Sequence, residues 1–360
     1  MDSTITLLCP VILLLIVPVL LILFLHKKQS PKPKLPPGPP KLPLIGNLHQ
    51  VGKLPHHSLW QLSQQHGPLL YLQLGQAPTI IISSSEMARQ VLRTHDLESC
   101  SRPSLFSSTK LSYGCSDVVF IPHGDKWREL RKTCMVELFG TKNNSTLQSI
   151  REEEVESMNI FVAGSDTSSA SLEWTMAELM RNPEAMKKAQ DEVRRVIGMK
   201  GKVEESDLQQ LQYLKWVLKE SMRLHPPAPL LVHRETTQRF KINGYEIQPK
   251  TRVIVNAWAI GRETSSWERP LEFYPERFRD SSIDMKGHDF QLIPFGAGRR
   301  ICPGMHLGIQ TVELALANLL YTFDWKCPDG SQDINMDETP GVTVHKKYPL
   351  FLVPIKYELK

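Results

Sequence analysis

Pro294-Phe295-Gly296-Ala297-Gly298-Arg299-Arg300-Ile301-Cys302-Pro303-Gly304 is the stretch from which the rest of this chain can be read. Gly296 and Gly298 predict a backbone that bends tightly past something flat, because glycine alone takes positive φ and close approach without steric cost. Cys302 sits at the exit of the bend. Pro303 favours a first helical position and residues 305–321 have helical composition, so the thiol is expected where orphan N–H groups and the helix dipole stabilise a thiolate, a strong ligand for iron. Taken alone, a cysteine beside arginines is more often an inert buried thiol. A dinucleotide-binding fingerprint is rejected, since Gly296-x-Gly298 lacks its third glycine and follows no evident βαβ strand.

Phe295, Gly298, Arg300, Cys302 and Gly304 together resemble the haem-binding loop of the cytochrome P450 family, Phe-x-x-Gly-x-Arg-x-Cys-x-Gly, at every fixed position. The resemblance implies haem b as cofactor, with Cys302 as the axial thiolate that donates electron density to the iron and favours O–O cleavage. It also implies that Arg300 pairs with a haem propionate.

Lysines and arginines number 43 against 38 acids, and Lys27, Lys28, Lys32, Lys34 and Lys41 fall in a segment without an acid. The rest of the chain balances, which argues against a nucleic-acid surface, since that needs a basic stripe on the folded body. Residues 5–25 form an apolar run of about 30 Å as a helix, enough to cross a bilayer. A cleaved signal peptide fits less well, because the charged n-region and a small-residue cleavage site are both missing. Lysines on the C-terminal flank keep that side cytosolic, so the six cysteines are expected to stay reduced. The sequons at Asn143 and Asn144 are then out of reach of glycosylation. Seven prolines between residues 31 and 43 predict a stiff extended spacer.

Residues 69–74 and 79–82 read as a β-hairpin around Gly75-Gln76-Ala77-Pro78, and Ser83 with Glu86 as a capping box for a helix over 84–92. Trp127 and Arg131 stand one helical turn apart. The pair resembles the family's Trp-x-x-x-Arg motif, in which both side chains reach a propionate, while Arg128 and Lys132 point elsewhere, toward an electron donor. Ala163-Gly164-Ser165-Asp166-Thr167-Ser168 lies in a helix reaching Arg181, where a mid-helix glycine costs about 1 kcal/mol against alanine. By itself this is a polar helix face. Beside the cysteine loop it resembles the family's oxygen-activating helix, with Asp166 and Thr167 managing protons.

Asn182-Pro183 predicts a helix start, and Ser206 with Gln209 caps a further helix ending before Pro226. Glu220 and Arg223 at i,i+3 make, on their own, an ordinary surface pair. With Arg277 they resemble the family's buried Glu-Arg-Arg network that locks the cysteine loop. Residues 239–247 predict a hairpin about Asn243-Gly244 and residues 251–256 a strand. Arg234 falls where the family places another propionate partner, and residues 339–348 resemble its C-terminal substrate-contacting turn.

The fold expected is mainly α with small β-sheets, a cytochrome P450 fold with one N-terminal transmembrane helix. Residues 1–26 are the anchor, 27–43 the hinge and 44–360 the catalytic domain. The resemblance is to plant microsomal members, single-pass in the endoplasmic reticulum. It implies NADPH-cytochrome P450 reductase, O2, a membrane and a small apolar substrate as partners. One departure stands out: family members are longer, and a long segment, the helices that roof the substrate cavity, is absent between about Val155 and Ile160. The helix from Met158 carries Ile160, Phe161, Val162, Leu172, Trp174, Met176, Leu179 and Met180 over more than half its circumference, so large apolar side chains are expected to lack cover and the distal side to stand open. The charged run 151–156 is expected to fuse with that helix into one rod. A non-catalytic membrane-anchored remnant is the competing reading.

Overall fold

The computed structural model describes residues 18, 33–112, 114–139, 158–328, 330 and 333–358. The anchor over 5–25, apart from Pro18, both sequons and the run 151–156 lie outside these residues. Among the described residues no helix is long and apolar enough to cross a membrane.

Helix α1 (Pro55–His66) leads into β1 (Leu69–Leu74) and β2 (Ala77–Ile82), an antiparallel pair with Leu69 opposite Ile82. The turn is tighter than expected, because Ala77 and Pro78 already pair with Leu74 and Gln73. Strands β3 (Arg234–Glu235) and β6 (Arg252–Val255) complete a sheet of order β1-β2-β6-β3, with β6 parallel to β2. Thr-Ile-Ile-Ile and Arg-Val-Ile-Val suit a central parallel pair because both faces are covered. Ile80, Ile82, Val253 and Val255 meet Val91, Leu92 and Ile293 on one face, while Leu70, Leu72, Ile81 and Ile254 meet Leu59 of α1 on the other. Between β3 and β6, β4 (Phe240–Ile242) and β5 (Tyr245–Ile247) form the expected hairpin, with positive φ at both Asn243 and Gly244.

The helical layer consists of α2 (Asp125–Thr133), α3 (Met158–Arg181), α4 (Pro183–Ile197), α5 (Gln212–Leu224) and α6 (Met305–Thr322). Met176, Leu179, Ala189, Val193, Leu214, Val217, Leu316 and Leu320 interlock among the last four. This corrects the expectation that the apolar side chains of α3 lack cover. Trp174, Met176 and Leu179 are buried, and the indole of Trp174 donates to the Val344 carbonyl at 3.0 Å. The side chains of Ile160, Phe161 and Val162 lie outside the described residues.

Two caps also shift. Ser84, not Ser83, accepts the Met87 N–H, one residue later than expected. Residues 205–210 form a 3-10 turn in which the Asp207 carboxylate accepts the Glu204 N–H at 2.9 Å, and α5 begins only at Gln212. Asp207 displaces Ser206 and Gln209 as the cap because it also holds Lys200. Downstream, β7 (Phe323–Lys326) pairs with β10 (Val353–Lys356), and β8 (Glu338–Thr339) with β9 (His345–Lys346).

Glu220 binds Arg223 through two bonds of 2.8 Å and Arg277 through two of 3.0 Å, and its oxygen also accepts the Tyr274 N–H. Arg223 reaches on to the carbonyls of Gly261, Pro270 and Glu272. The network therefore pins the irregular stretch 261–278 to α5. Trp267 and Phe278 of that stretch pack with Leu292 and Phe295, at the entrance to the cysteine loop. Deleting the one carboxylate leaves two buried guanidinium groups unpaired, so Glu220→Ala is expected to destabilise the chain by about 3–5 kcal/mol. Urea unfolding checks this, and a loss below about 1 kcal/mol would contradict the role given to the network.

Candidate functional site

The cysteine loop closes on itself when the Cys302 N–H donates to the Phe295 carbonyl at 3.0 Å. Gly296 (φ 73°) and Gly298 (φ 69°) make the expected bend. What approaches Gly298 is protein: a Cβ there would lie 2.2 Å from the Leu92 carbonyl oxygen and 2.8 Å from an Asp96 carboxylate oxygen. Asp96 is the clamp. Its Oδ1 accepts from Arg234 at 2.7 Å, and its Oδ2 accepts the backbone and side-chain N–H groups of Arg299 at 3.0 and 3.1 Å. Arg234 also donates to the Ala297 carbonyl. The guanidinium placed among the propionate partners is thus engaged in holding the loop.

Helix α6 starts at Met305, two residues later than Pro303 predicts, with Gly304 at the cap position. The Cys302 thiol lies nearby, and burial pushes its pKa up against the opposing pull of the Gly304 N–H and the Arg131 guanidinium. The N–H group at the helix start thus favours the anion in the expected sense, and desolvation of the loop works against it.

Beside the loop is a cluster of positive charge. Arg300, 9% exposed, donates to the carbonyls of Cys100 (2.9 Å) and Ile121 (2.8 Å) and stacks 4.4 Å from the centre of the Trp127 ring. Burial and the neighbouring arginines push its pKa down to about 10. Arg131 lies 5.8 Å from the same ring, and burial lowers it as well. Neither has a carboxylate partner among the described residues. The Trp127 indole N–H is buried and meets no acceptor. Sequence reasoning missed Arg102, which is buried, donates to the carbonyls of Val119, Val232 and His233, and is driven well below its ordinary pKa by burial and by Arg234 and Arg300. The signal available was an arginine in the acid-free stretch 99–116 just before a proline.

Arg102, Arg131, Arg234 and Arg300 therefore outnumber the two buried carboxylates near them, Asp96 and Asp117, and stand beside an orphaned indole donor. Such a surplus is expensive unless an anionic group compensates it. The two carboxylates of a haem fit the charge and the donor set, and Cys302 supplies the sulfur.

In the N-terminal half of α3, the Thr167 hydroxyl donates back to the Ala163 carbonyl at 2.6 Å, and Asp166 meets His345 of β9 at 3.1 Å. Ala163, Gly164 and Ser165 are exposed, and nothing comes within 4 Å of a Cβ added at Gly164. Among the described residues, then, no side chain presses on this glycine.

The family model for cytochrome P450 matches residues 36–158 and 141–353, and the chain belongs to that family. It is 38% identical to cytochrome P450 71B37 of Arabidopsis thaliana, over 92% of this chain and 95% of that one. It is equally 38% identical to strychnine-11-hydroxylase of Strychnos nux-vomica, over 89% and 91%. A zebra fish cytochrome P450 solved with progesterone superposes with a TM-score of 0.72 at 22% identity, covering 84% of this chain and 99% of that one, which supports the fold. The family is one of haem-thiolate monooxygenases. The two plant alignments run over 475 and 461 positions, more than the 360 residues here, so over a hundred positions of each relative have no counterpart in this chain. The two pieces of the family match meet at 141–158.

If the indole N–H serves a haem carboxylate, Trp127→Phe has different effects in two states. It removes an orphaned donor from the haem-free chain but a charge-assisted bond of about 1.5–3 kcal/mol from the loaded one. Haem transfer to an excess of apomyoglobin is expected to accelerate roughly tenfold to a hundredfold, with a much smaller change in haem-free stability. An unchanged transfer rate would remove Trp127 from the site.

Proposed function

We propose that this chain is a haem-dependent monooxygenase in its chemistry and an impaired one in its performance. The observation that carries the first half is the buried, carboxylate-poor cluster of Arg102, Arg131, Arg300 and the Trp127 indole beside Cys302. In this reading Cys302 ligates iron, Trp127, Arg131 and Arg300 hold the propionates with Arg102 behind them, and Arg234 acts through Asp96 on the loop. Haem supplies the activation of O2. One oxygen atom enters a small apolar substrate and the other leaves as water, with two electrons from NADPH through a reductase and two protons. Arg128 and Lys132, both exposed on α2, face that reductase. Asp166 and Thr167 handle the protons, with His345 holding the Asp166 carboxylate.

Residues 5–25 anchor the chain in the endoplasmic reticulum membrane in a single pass, residues 27–43 form the hinge, and the catalytic body from 44 lies in the cytosol. Relatives named as plant cytochromes P450, and one named as a hydroxylase, support the class of substrate without fixing it.

The thiolate ligand is tested by the reduced, carbon monoxide-treated difference spectrum. Wild type is expected to show the strongly red-shifted band and Cys302→Ala to lose it, because among the described residues no other cysteine stands in a glycine-bent loop leading into a helix. A band that survives the substitution would overturn the assignment.

Among the described residues the turn 163–165 is exposed and nothing lies within 4 Å of a Cβ at Gly164, which favours the second half. A haem pocket without its distal wall admits water, and the apolar substrate gains little by entering it. Grafting the missing segment from a relative between residues 155 and 160 is expected to raise both haem retention and coupled product formation per NADPH. Equal haem content and equal coupling in the two proteins would refute the open-pocket reading.

A further inference from the structure

We propose that His56, His57 and Glu338 form a binding site for a divalent transition-metal ion, Zn2+ or Cu2+ in preference to Mg2+ or Ca2+, remote in sequence and chemistry from the cysteine loop. His56 and His57 occupy the first turn of α1, and Glu338 opens β8, so the site joins the two ends of the described chain. His56 Nε2 lies 2.7 Å and His57 Nε2 3.0 Å from the same Glu338 oxygen, and the three donor atoms fall within 4.8 Å of one another. His56 is buried, Glu338 nearly so, and His57 keeps 39% of its side chain exposed, which leaves an entry path and room for water as a further ligand.

Two nitrogens converge on one oxygen, yet only one makes a hydrogen bond with it. His56 does. The His57 nitrogen, out of contact with solvent, meets the same oxygen at 3.0 Å as an ion pair but without the geometry of a good hydrogen bond. As ion pairs alone, both contacts would need two charged imidazoles 4.4 Å apart on one carboxylate oxygen, whereas a cation between the three satisfies both nitrogens and the oxygen with neutral rings. Two imidazoles and one carboxylate are the ligand set of open zinc sites, with metal distances of about 2.0–2.2 Å. Ligands of a tetrahedral ion stand roughly 3.3 Å apart at those distances, so the carboxylate has to withdraw by only about half an ångström.

The surroundings hold the imidazoles in place. Asn256 donates to the His56 carbonyl at 2.8 Å, and the Trp258 ring lies 5.5 Å from His56 and 4.4 Å from His57. Arg262 stacks 3.8 Å from the centre of that ring and feels the Glu338 charge. An incoming ion therefore competes with a guanidinium, which selects against hard, weakly bound Mg2+ and Ca2+ and for nitrogen-preferring ions high in the Irving–Williams order. Binding would staple α1 to the hairpin of β8 and β9, whose Val344 and His345 contact α3.

The test uses full-length, tag-free, haem-loaded protein, stripped with chelator and titrated with Zn2+ by calorimetry, and with Co2+ by visible absorption. One ion per chain is expected, with a higher unfolding midpoint. Both effects are expected to vanish in His57→Ala, whose exposed side chain can be removed without opening the core. They should also weaken by at least about a hundredfold in Glu338→Gln, since even an outer-shell partner is worth 10–100-fold. His66→Ala, at the far end of α1, should bind as wild type does. Absence of saturable uptake, or uptake undiminished in His57→Ala and Glu338→Gln, would overturn the proposal.

Discussion

One buried carboxylate decides where the sulfur sits. Asp96 accepts from Arg234 and from both nitrogens that Arg299 offers, and it lies so close to Gly298 that a Cβ there would have to displace it. Because Arg234 stands in the central sheet and also holds the Ala297 carbonyl, the loop is tied to β3 on one side and to the helical turn at Asp96 on the other. Cys302 then follows within a single closed hairpin of chain. Position is thus fixed by charge-assisted bonds in a dry environment, where geometry is enforced more strongly than packing alone could do.

The same dryness sets the charge requirement. Asp96 answers Arg234 and Arg299, whereas among the described residues Arg102, Arg131 and Arg300 form no ion pair, feel Asp117 or Asp96 only at a distance where they feel a carboxylate at all, and fall back on backbone carbonyls or on the face of Trp127. Carbonyl dipoles lessen the burden of a buried guanidinium without neutralising it, which is why burial lowers all three. Such an arrangement suits a dianionic ligand, whose charge would offset the surplus.

How much of this was legible in the sequence follows from how local each feature is. The cysteine loop, the Trp127-Arg131 turn and the Asn243-Gly244 hairpin are written in a few adjacent residues and were readable. Glu220 and Arg223 were adjacent too, but burial, which turns a surface pair into a lock, came only with Arg277 and the carbonyls of 261–272. Asp96 carried no signal, because its meaning is a contact 203 residues away. Helix starts moved by one to a few residues wherever a neighbouring carboxylate or serine made the better cap. The apolar stripe of α3 was read correctly as needing cover. Its cover was misjudged, since α4, α5, α6 and the Val344 turn supply it from later in the chain.

That last point explains how a chain lacking so long an internal segment still folds. The cluster around Met176, Leu179 and Leu320 is built wholly from residues after the junction, and the cluster around Leu70, Ile81 and Ile254 needs only the sheet and α1. Neither draws on the region where the two halves of the family match meet. The C-terminal half of α3 is therefore held as a core helix, while among the described residues its turn at 163–165 is exposed. Stability is therefore secured along one half of the helix: that half keeps its partners despite the deletion because all of them, however distant in sequence, follow the junction.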